Sequence, residues 1–447
     1  MRVAVVGGGI TGLAAAYELV QSGGDVIVFE ATDHLGGKIR TTPFAGRQVD
    51  EGSDAFLARV PAGVDLCREL GLDADLVSPA TGAASVWTGG RLRRLPAGLV
   101  LGVPTDLDAL AESGVVSPAG VARAAADLDR ERDDRPSGDE SVGALVRRRL
   151  GDEVHERLVD PLIGSINAGD TDRLSLRATA PVLAAAADAS PSLIAGLGAP
   201  RDPIAGPVFY APHDGMGAIV DRLVTHLTDV RCSTVVRGIE PGAGEWHVVT
   251  ESERATVDAV VVTTPAPVTA WLVAGIAPAA AEMLGAIEYA SVVLVTLAYD
   301  EGDIGASLDG SGVLVPRGEG LLLTACSWAS SKWSHLGGDG TVLLRASAGR
   351  AGDERALALG DDELVAALGA DLSLTMGVTA PPRQVRISRW PNSFPQYAPG
   401  HLDRADAIDA DLARAAPGVA VAGAFLRGLG IPACIDQGRA AARRVIE

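Results

Sequence analysis

The sequence predicts a protein of the α/β (α+β) class that begins with a parallel βαβ unit. Three features between Met1 and Glu30 support this prediction: an apolar, β-branched run, a G-x-G-x-x-G motif, and a second apolar run that ends in an acid. A short apolar run bounded by glycines is typical of a strand buried in a parallel sheet. With 447 residues, the chain is long enough for about two or three domains.

The first strand and the glycine-rich turn are predicted between Arg2 and Gly12. Arg2–Val6 reads RVAVV, and Gly7, Gly9 and Gly12 follow it. In a dinucleotide-binding turn the first glycine permits the tight turn, and the second lets the backbone approach a pyrophosphate. The third lets the helix pack closely on the strand. The helix is predicted from about Gly12 to Ser22, and it would direct its N-terminal amides at the phosphates.

The second strand is predicted at Asp25–Phe29, and Glu30 follows it directly. An acid about 20 residues after the glycines is the usual acceptor for ribose hydroxyls. A lone glycine motif is weak evidence. Strand, glycines, helix, strand and acid occur here in the order that a Rossmann-type domain requires, so we predict that the chain starts with one.

The composition is that of a globular protein and disfavours several functions. Hydrophobic residues make up 47% and charged residues 21%, and the net charge of -19 argues against a nucleic-acid partner. The four cysteines are scattered, which favours reduced thiols and a cytoplasmic protein over a disulfide framework. The histidines show no metal-ligand spacing, so we expect no metal site. We expect neither a signal peptide nor a transmembrane segment.

The residues after the ribose acid indicate which cofactor is bound. Leu35–Thr41 reads LGGKIRT, with Lys38 and Arg40 as its cations. Two glycines and two cations at this place resemble the second dinucleotide motif of FAD-containing, amine-oxidase-like flavoproteins, which NAD-dependent Rossmann dehydrogenases generally lack. The cations would face pyrophosphate oxygens. Gln48–Arg59 resembles the stretch of that family whose backbone passes beside the isoalloxazine ring.

The middle of the chain is predicted to contain a helical region and a mostly antiparallel sheet. Val86–Leu95 is predicted as a hairpin that turns at Gly89-Gly90. Pro104–Pro200 is predicted to be helical, with a charged loop at Asp127–Asp139 and a solvent-exposed basic helix face at Arg147, Arg148 and Arg149. Further strands are predicted at Val235–Ile239, Glu245–Glu251, Ala259–Thr263, Ala290–Tyr299, Gly312–Val315, Leu321–Ala325, Thr341–Ala346 and Val419–Ala424.

Two further blocks narrow the resemblance to the protoporphyrinogen and coproporphyrinogen oxidases. Ser165–Asp170 reads SINAGD, close to a signature of that family. Gly428–Ile435 reads GLGIPACI and precedes a helix predicted from Asp436 to Val445; it resembles the family's G-I-G-I-P-x-C-I block closely. The resemblance spans nearly the whole chain and is weakest from Pro104 to Arg157.

The resemblance implies three domains and a non-covalently bound FAD. The block Arg389-Trp390-Pro391 also resembles the porphyrinogen oxidases, and no cysteine lies near it to form a thioether with the flavin. The implied domains are a discontinuous FAD-binding domain (1–75, 206–266 and 405–447), an antiparallel substrate-binding domain (76–103 and 267–404) and a helical domain (104–205). The implied cofactor-binding residues are Gly7, Gly9, Ile10, Thr11, Gly12, Glu30, Gly37, Lys38, Arg40, Gly52, Ser53, Val236, Gly423, Gly430, Ile431 and Ile435.

The chemistry that the resemblance implies is a six-electron oxidation of a porphyrinogen in haem biosynthesis, with O2 as acceptor and H2O2 as product. Arg59 would face substrate carboxylates, or is a surface arginine. Asn167 would contact substrate, or caps a helix. Lys332 would hold water near the flavin, or is a surface lysine. No acid or base stands out, so Lys332 and Asn167 are the only catalytic candidates. The resemblance also implies a transient contact with ferrochelatase.

The expected substrate is coproporphyrinogen III, and protoporphyrinogen IX is the alternative. The arginine-rich composition resembles that of high-GC Gram-positive bacteria, whose relatives act before the propionates are trimmed. Arg59 and the cluster Arg91, Arg93 and Arg94 are candidate carboxylate-binding cations. An amine oxidase or a carotenoid desaturase is a rival, although 4% aromatic residues disfavour an amine-binding cage. An inactive flavin-binding partner of haem enzymes is the rival from another class.

Overall fold

The computed structural model describes residues 1–131, 138–199 and 206–446. The chain divides into two compact units, each assembled from separate stretches of sequence. The first unit contains Met1–Ser78, Gly206–Glu288 and His401–Glu447, and the second contains Pro79–Ala205 and Tyr289–Gly400. The predicted separation of a helical domain from a sheet domain remains a prediction.

A five-stranded parallel sheet forms the centre of the first unit. Its strands are built from β-branched residues and alanine, and Val3, Val5 and Val261 are fully buried, as a sheet covered on both faces requires. The bounds predicted for the first two strands are confirmed. From one edge to the other the strands are Asp229–Arg231, Asp25–Phe29, Arg2–Val6, Ala259–Val262 and Val419–Val421.

The first helix, Ile10–Gln21, and the last helix, Ile431–Ile446, pack closely against each other. A Cβ on Gly438 would lie 3.1 Å from the carbonyl carbon of Thr11 and closer still to its oxygen. The predicted start of the last helix at Asp436 is wrong, because Pro432 suits a first helical turn. The other helices of this unit are Pro61–Glu69, Gly217–Val224, Ala266–Val273, Pro278–Gly285 and His401–Ala415.

Smaller antiparallel sheets complete the first unit. Several of their strands are too short to give a clear alternation, and the sequence analysis missed Arg254–Val257 and Phe209–Pro212. These sheets are a hairpin of Thr41–Phe44 and Arg47–Asp50, a meander of Val236–Pro241, Trp246–Thr250 and Arg254–Val257, and a three-stranded sheet of Phe56–Leu57, Phe209–Pro212 and Leu76–Val77.

A seven-stranded sheet organises the second unit. All its pairings are antiparallel except that between Gly312–Leu314 and Ser85–Thr88, so the predicted mostly antiparallel sheet is confirmed. The edge strand Gln384–Pro395 was not predicted, because it contains Pro391. Proline is tolerated in a strand at the edge of a sheet. The strand order is Gln384–Pro395, Tyr289–Asp300, Thr341–Ala348, Leu323–Trp328, Gly312–Leu314, Ser85–Thr88 and Arg91–Arg94; a separate pair is Leu99–Val100 and Val103–Pro104.

The helices between Leu107 and Gly198 pack around a core of aliphatic side chains, and Asp361–Met376 packs into a second core with side chains of the sheet. Part of the predicted loop at Asp127–Asp139 lies outside the described residues. The helical elements are Leu107–Ser113, Pro118–Ala125, Val142–Leu150, Asp152–Val154, a π-helical turn at His155–Val159, Asp160–Asn167, Leu176–Thr179, Pro181–Ala189, Leu193–Gly198, Ala329–Lys332, Arg355–Ala358 and Asp361–Met376.

The prediction that Arg149 lies on a solvent-exposed helix face is wrong. Its side chain is completely buried and lies 3.8 Å from the equally buried carboxylate of Asp127. It also donates to the carbonyl oxygen of Pro191. Arg147 and Arg148 keep part of their surface in solvent and form ion pairs. The helix therefore exposes two of the three arginines and uses the third to connect distant segments.

Candidate functional site

The glycine-rich turn of the first unit has one side that is blocked and one that is open. Gly7 has φ +110°, a conformation that favours glycine. A Cβ on Gly12 would lie 2.6 Å from Thr263 Oγ1 and closer still to the Gly7 carbonyl oxygen. A Cβ on Gly9 would meet no atom within 4 Å. The fold therefore needs glycine at Gly7 and Gly12, whereas the open space beside Gly9 is available to a ligand.

The first helix begins at this turn without a side-chain cap. Gly9 occupies the N-cap position and no side chain accepts a hydrogen bond there. The first amides of a helix have no partner within the helix, so those of Ile10, Thr11 and Gly12 can donate to an anion. An uncapped helix terminus next to open space fits a pyrophosphate.

Glu30 is held against the same turn by hydrogen bonds. Its Oε2 accepts from the Gly8 amide at 2.8 Å. Its Oε1 accepts from the amide and the hydroxyl of Thr32, both at 2.8 Å. The carboxylate is half-buried at the end of the second strand, where the fold places a ribose acceptor.

The second glycine pair packs directly on the first motif. The Gly36 amide donates to the Gly8 carbonyl oxygen at 2.8 Å. A Cβ on Gly37 would lie 3.2 Å from the Cα of Gly9. The two motifs were recognised separately in the sequence, and the structure brings their backbones into contact.

Lys38 lies near Cys434, a residue from the other end of the chain. The Lys38 side chain reaches solvent, yet the surrounding protein atoms desolvate it and lower its pKa. Burial raises the pKa of the Cys434 thiol, and the Thr11 side chain and Lys38 counteract that rise. Thr11, Lys38 and Cys434 therefore lie close together at the N-terminal end of the last helix, where the Cys434 side chain is buried.

The remaining predicted cofactor residues lie on strands, loops and the start of the last helix. Ile431 and Ile435 are buried in the first turns of that helix. Gly430 precedes that helix, and Gly423 has φ +152°. The Arg40 Nε lies 3.5 Å from Glu51 Oε1. Gly52 and Ser53 follow the strand Arg47–Asp50, and buried Val236 opens the meander.

Arg59, the predicted substrate-binding residue of the first unit, is exposed. It follows the strand Phe56–Leu57 by two positions and belongs to a loop that leads into the helix Pro61–Glu69. Leu57 and Phe209, paired on neighbouring strands, expose large parts of their side chains beside it. An exposed cation next to exposed apolar side chains suits a ligand that carries both an anionic group and an apolar surface.

Asn167 and Lys332 belong to the second unit. Asn167 is buried, and its Nδ2 donates to the carbonyl oxygen of Ile163 at 2.8 Å. Its carbonyl oxygen accepts from Gln396 Nε2 at 3.0 Å. Asn167 therefore closes the helix Asp160–Asn167 with its amide. The Lys332 Nζ lies 5.2 Å from the ring centroid of Trp333, a cation–π distance.

The second unit holds functional candidates that the sequence analysis missed. Arg317 donates through Nη2 to the Gly169 carbonyl oxygen at 2.7 Å, inside the SINAGD block. Gln396 contacts the same block at Asn167. Neither residue belongs to a site that was predicted from the sequence. Across the described residues, no group of three or more His, Cys, Asp or Glu side chains has the arrangement of a metal site.

The comparison with known protein families agrees with this arrangement. The model of the flavin containing amine oxidoreductases matches residues 10–446. The chain belongs to this family. The family binds a flavin, and the turn at Gly7–Gly12 is of the type that binds a dinucleotide. The cofactor is therefore the flavin dinucleotide FAD.

Individual relatives match over nearly the whole chain. Coproporphyrinogen III oxidase from Bacillus subtilis is 35% identical over 98% of this chain and 97% of its own. Coproporphyrinogen III oxidase from Mycobacterium tuberculosis H37Rv is 38% identical over 99% and 97%. A solved structure from Exiguobacterium sp. 255-15, provisionally named a protoporphyrinogen oxidase, superimposes with a TM-score of 0.89 at 30% identity and covers 99% of this chain and 98% of its own.

Proposed function

We propose that the protein oxidises coproporphyrinogen III to coproporphyrin III, a six-electron step of haem biosynthesis that uses FAD and O2 and releases H2O2. The observation that carries this proposal is the full-length similarity, at 35% and 38% identity, to two bacterial coproporphyrinogen III oxidases. The fold and the dinucleotide turn support the same chemistry, because both are what a flavin oxidase requires.

The residues of the first unit would bind and orient the cofactor. Bound FAD supplies the two-electron acceptor for C–H oxidation and passes the electrons to O2. The amides of Ile10 and Thr11 would neutralise the pyrophosphate, with Lys38 beside them as a cation. Glu30 would accept from ribose hydroxyls. The last helix would stabilise negative charge with the amides of its first turn.

Substrate binding requires cations because the proposed substrate carries four carboxylates. Arg59 is exposed and can bind a carboxylate through two parallel hydrogen bonds. In the strand Arg91–Arg94, alternation directs Arg94 to the opposite face from Arg91 and Arg93. Arg94 lies 3.5 Å from Asp309. This leaves Arg91 and Arg93 as the pair that can act together.

Protoporphyrinogen IX is the second candidate substrate. The Exiguobacterium structure carries the name of that activity, and both porphyrinogens offer the same oxidisable ring. They differ at the rim, where the propionates of one are partly replaced by vinyl groups in the other. The carboxylate-binding residues therefore decide between them.

The proposal includes a cytoplasmic location and a transient contact with ferrochelatase, which would receive the product. The four cysteines are unpaired, which suits a reducing compartment. In the part of the chain that the structure describes, no helix combines the length and the apolar character that crossing a bilayer demands.

The proposed reaction is tested with FAD-loaded protein and coproporphyrinogen III in air. We expect the fluorescence of coproporphyrin to appear with consumption of about three O2 per porphyrin, since each O2 accepts two electrons. The Gly9→Val variant, in which FAD binding is blocked, measures the background oxidation. A rate equal to that background would refute the proposal. Turnover of amines instead would support the amine oxidase alternative.

A further inference from the structure

Arg350 occupies an unusual position at the end of a central strand of the second unit. The strand Thr341–Ala348 is followed by Gly349, which has φ +88° and whose Cβ would lie 2.8 Å from the Ser291 carbonyl oxygen. Arg350 comes next and is only 8% exposed. Its backbone exchanges hydrogen bonds with Asp353 at 3.2 and 2.8 Å. The backbone therefore fixes Arg350 in a buried place.

The guanidinium of Arg350 has no protein partner among the described residues. Its Nε is buried without a hydrogen bond, and no ion pair to Arg350 occurs in residues 1–131, 138–199 and 206–446. A buried charge without a partner is expensive for a fold. The position therefore offers no evident gain in stability, and a ligand carboxylate would supply the missing partner.

The carboxylates near Arg350 are already occupied. Asp353 receives hydrogen bonds from Arg355, from Nε at 2.9 Å and from Nη2 at 2.8 Å. Asp160 accepts from the Thr171 hydroxyl at 2.7 Å and lies 3.7 Å from Arg317 Nε. Both carboxylates therefore already serve other donors, and neither accepts a hydrogen bond from the Arg350 side chain.

Arg317 is a second cation near Arg350. Its Nη1 donates to the Ala351 carbonyl oxygen at 3.1 Å, and its Nη2 to that of Gly169 at 2.7 Å. The Ala351 amide donates to the Ala168 carbonyl oxygen at 2.7 Å. Burial lowers the pKa of Arg350, and the nearby charge of Arg317 lowers it further. Hydrogen bonds therefore hold residues 350–351 against the segment that follows Asn167.

We propose that Arg350, with Arg317 beside it, forms an anion site that binds one carboxylate of the substrate. The inference rests on the proposed function, in which that carboxylate is a propionate of coproporphyrinogen III. Arginine suits this role because its planar fork binds both carboxylate oxygens, and it stays charged when buried. All the residues of the site belong to the second unit.

The test compares Arg350→Gln and Arg350→Lys with the wild type, all loaded with FAD. The matched control is Arg383→Gln, because Arg383 is an exposed arginine of the same unit that pairs with Asp300. The measurements are Kd for coproporphyrin III by absorbance titration, KM and kcat for coproporphyrinogen III, FAD content, and Tm. We expect Arg350→Gln to raise Kd and KM by roughly tenfold or more, since it truncates a buried charge pair. Arg350→Lys restores charge without the fork and should lie between the two.

Thermal stability separates a ligand site from a structural role. In the absence of porphyrin, removal of an unpaired buried charge should leave the Tm of Arg350→Gln equal to or above that of the wild type. Unchanged Kd and KM with a lower Tm would show that Arg350 is structural and would overturn the site alone. Wild-type protein that neither binds coproporphyrin III nor oxidises its porphyrinogen would overturn the proposed function, and the anion site with it.

Discussion

Two glycines of the same turn should fail in different ways when they are substituted. Gly9→Val adds a side chain where a Cβ meets no protein atom within 4 Å, and the extended backbone of Gly9 (φ -73°, ψ 176°) accepts valine. The protein without FAD should therefore keep its stability to about 0.5 kcal/mol. The new side chain would occupy the space that the pyrophosphate needs, so FAD binding should be lost.

Gly12→Ala should instead damage the fold. Its Cβ would lie 2.6 Å from Thr263 Oγ1 and closer to the Gly7 carbonyl oxygen, so the first helix must move away from the first strand. Overpacking of this kind costs about 3 kcal/mol. In a unit of this size, that corresponds to a fall in Tm of roughly 6 to 12 °C.

Thermal unfolding with and without FAD distinguishes the two effects. The wild type should gain about 4 kcal/mol when free FAD exceeds its Kd a thousandfold. Gly9→Val should match the apoprotein of the wild type and gain nothing from FAD, whereas Gly12→Ala should unfold earlier even as apoprotein. If Gly9→Val were purified with stoichiometric FAD, the placement of the pyrophosphate beside Gly9 would be refuted.

Three further predictions concern the cofactor linkage, Arg59 and the response to acid. Acid precipitation should release all the flavin into the supernatant; yellow colour that stays with the pellet would show a covalent bond. Arg59→Ala should raise KM for coproporphyrinogen III several-fold with unchanged FAD content, through loss of a charge-assisted hydrogen bond, and unchanged kinetics would remove Arg59 from the site. His401 is buried, donates from Nε2 to the Leu426 carbonyl oxygen at 2.8 Å, and has its pKa lowered to about 4 by burial. The unfolded chain therefore binds the extra proton between pH 6.5 and 4, and stability falls by about 3 kcal/mol as the pH falls through that window. His401→Gln keeps a donor, so its Tm should depend less on pH there than that of the wild type; parallel curves would contradict this.

Local sequence patterns predicted the parts of the fold that depend on neighbouring residues. Arg2–Val6, Asp25–Phe29 and the hairpin around Gly89-Gly90 follow from apolar runs and from the positive φ that both turn glycines adopt. The two glycine motifs were also recognisable, because their residue types are dictated by close backbone contacts. That these motifs touch each other was not visible in either of them.

Features that depend on distant residues could not be predicted. Arg149 looked exposed because its neighbours are charged, and only the fold supplies Asp127 and the Pro191 carbonyl as its partners. The helix starting at Ile431 was placed too late, because the block GLGIP was interpreted as loop. Arg350 gave no signal, since the lack of a partner is a property of the folded chain.

The choice of substrate is the central inference about this protein. Its most direct test is a comparison of kcat/KM for coproporphyrinogen III and protoporphyrinogen IX, measured with the same FAD-loaded enzyme under one set of conditions by porphyrin fluorescence. We expect a clear preference for coproporphyrinogen III that shrinks in Arg59→Ala and Arg350→Gln, because fewer cations then recognise the additional propionates. A preference of the wild type for protoporphyrinogen IX would contradict the claim.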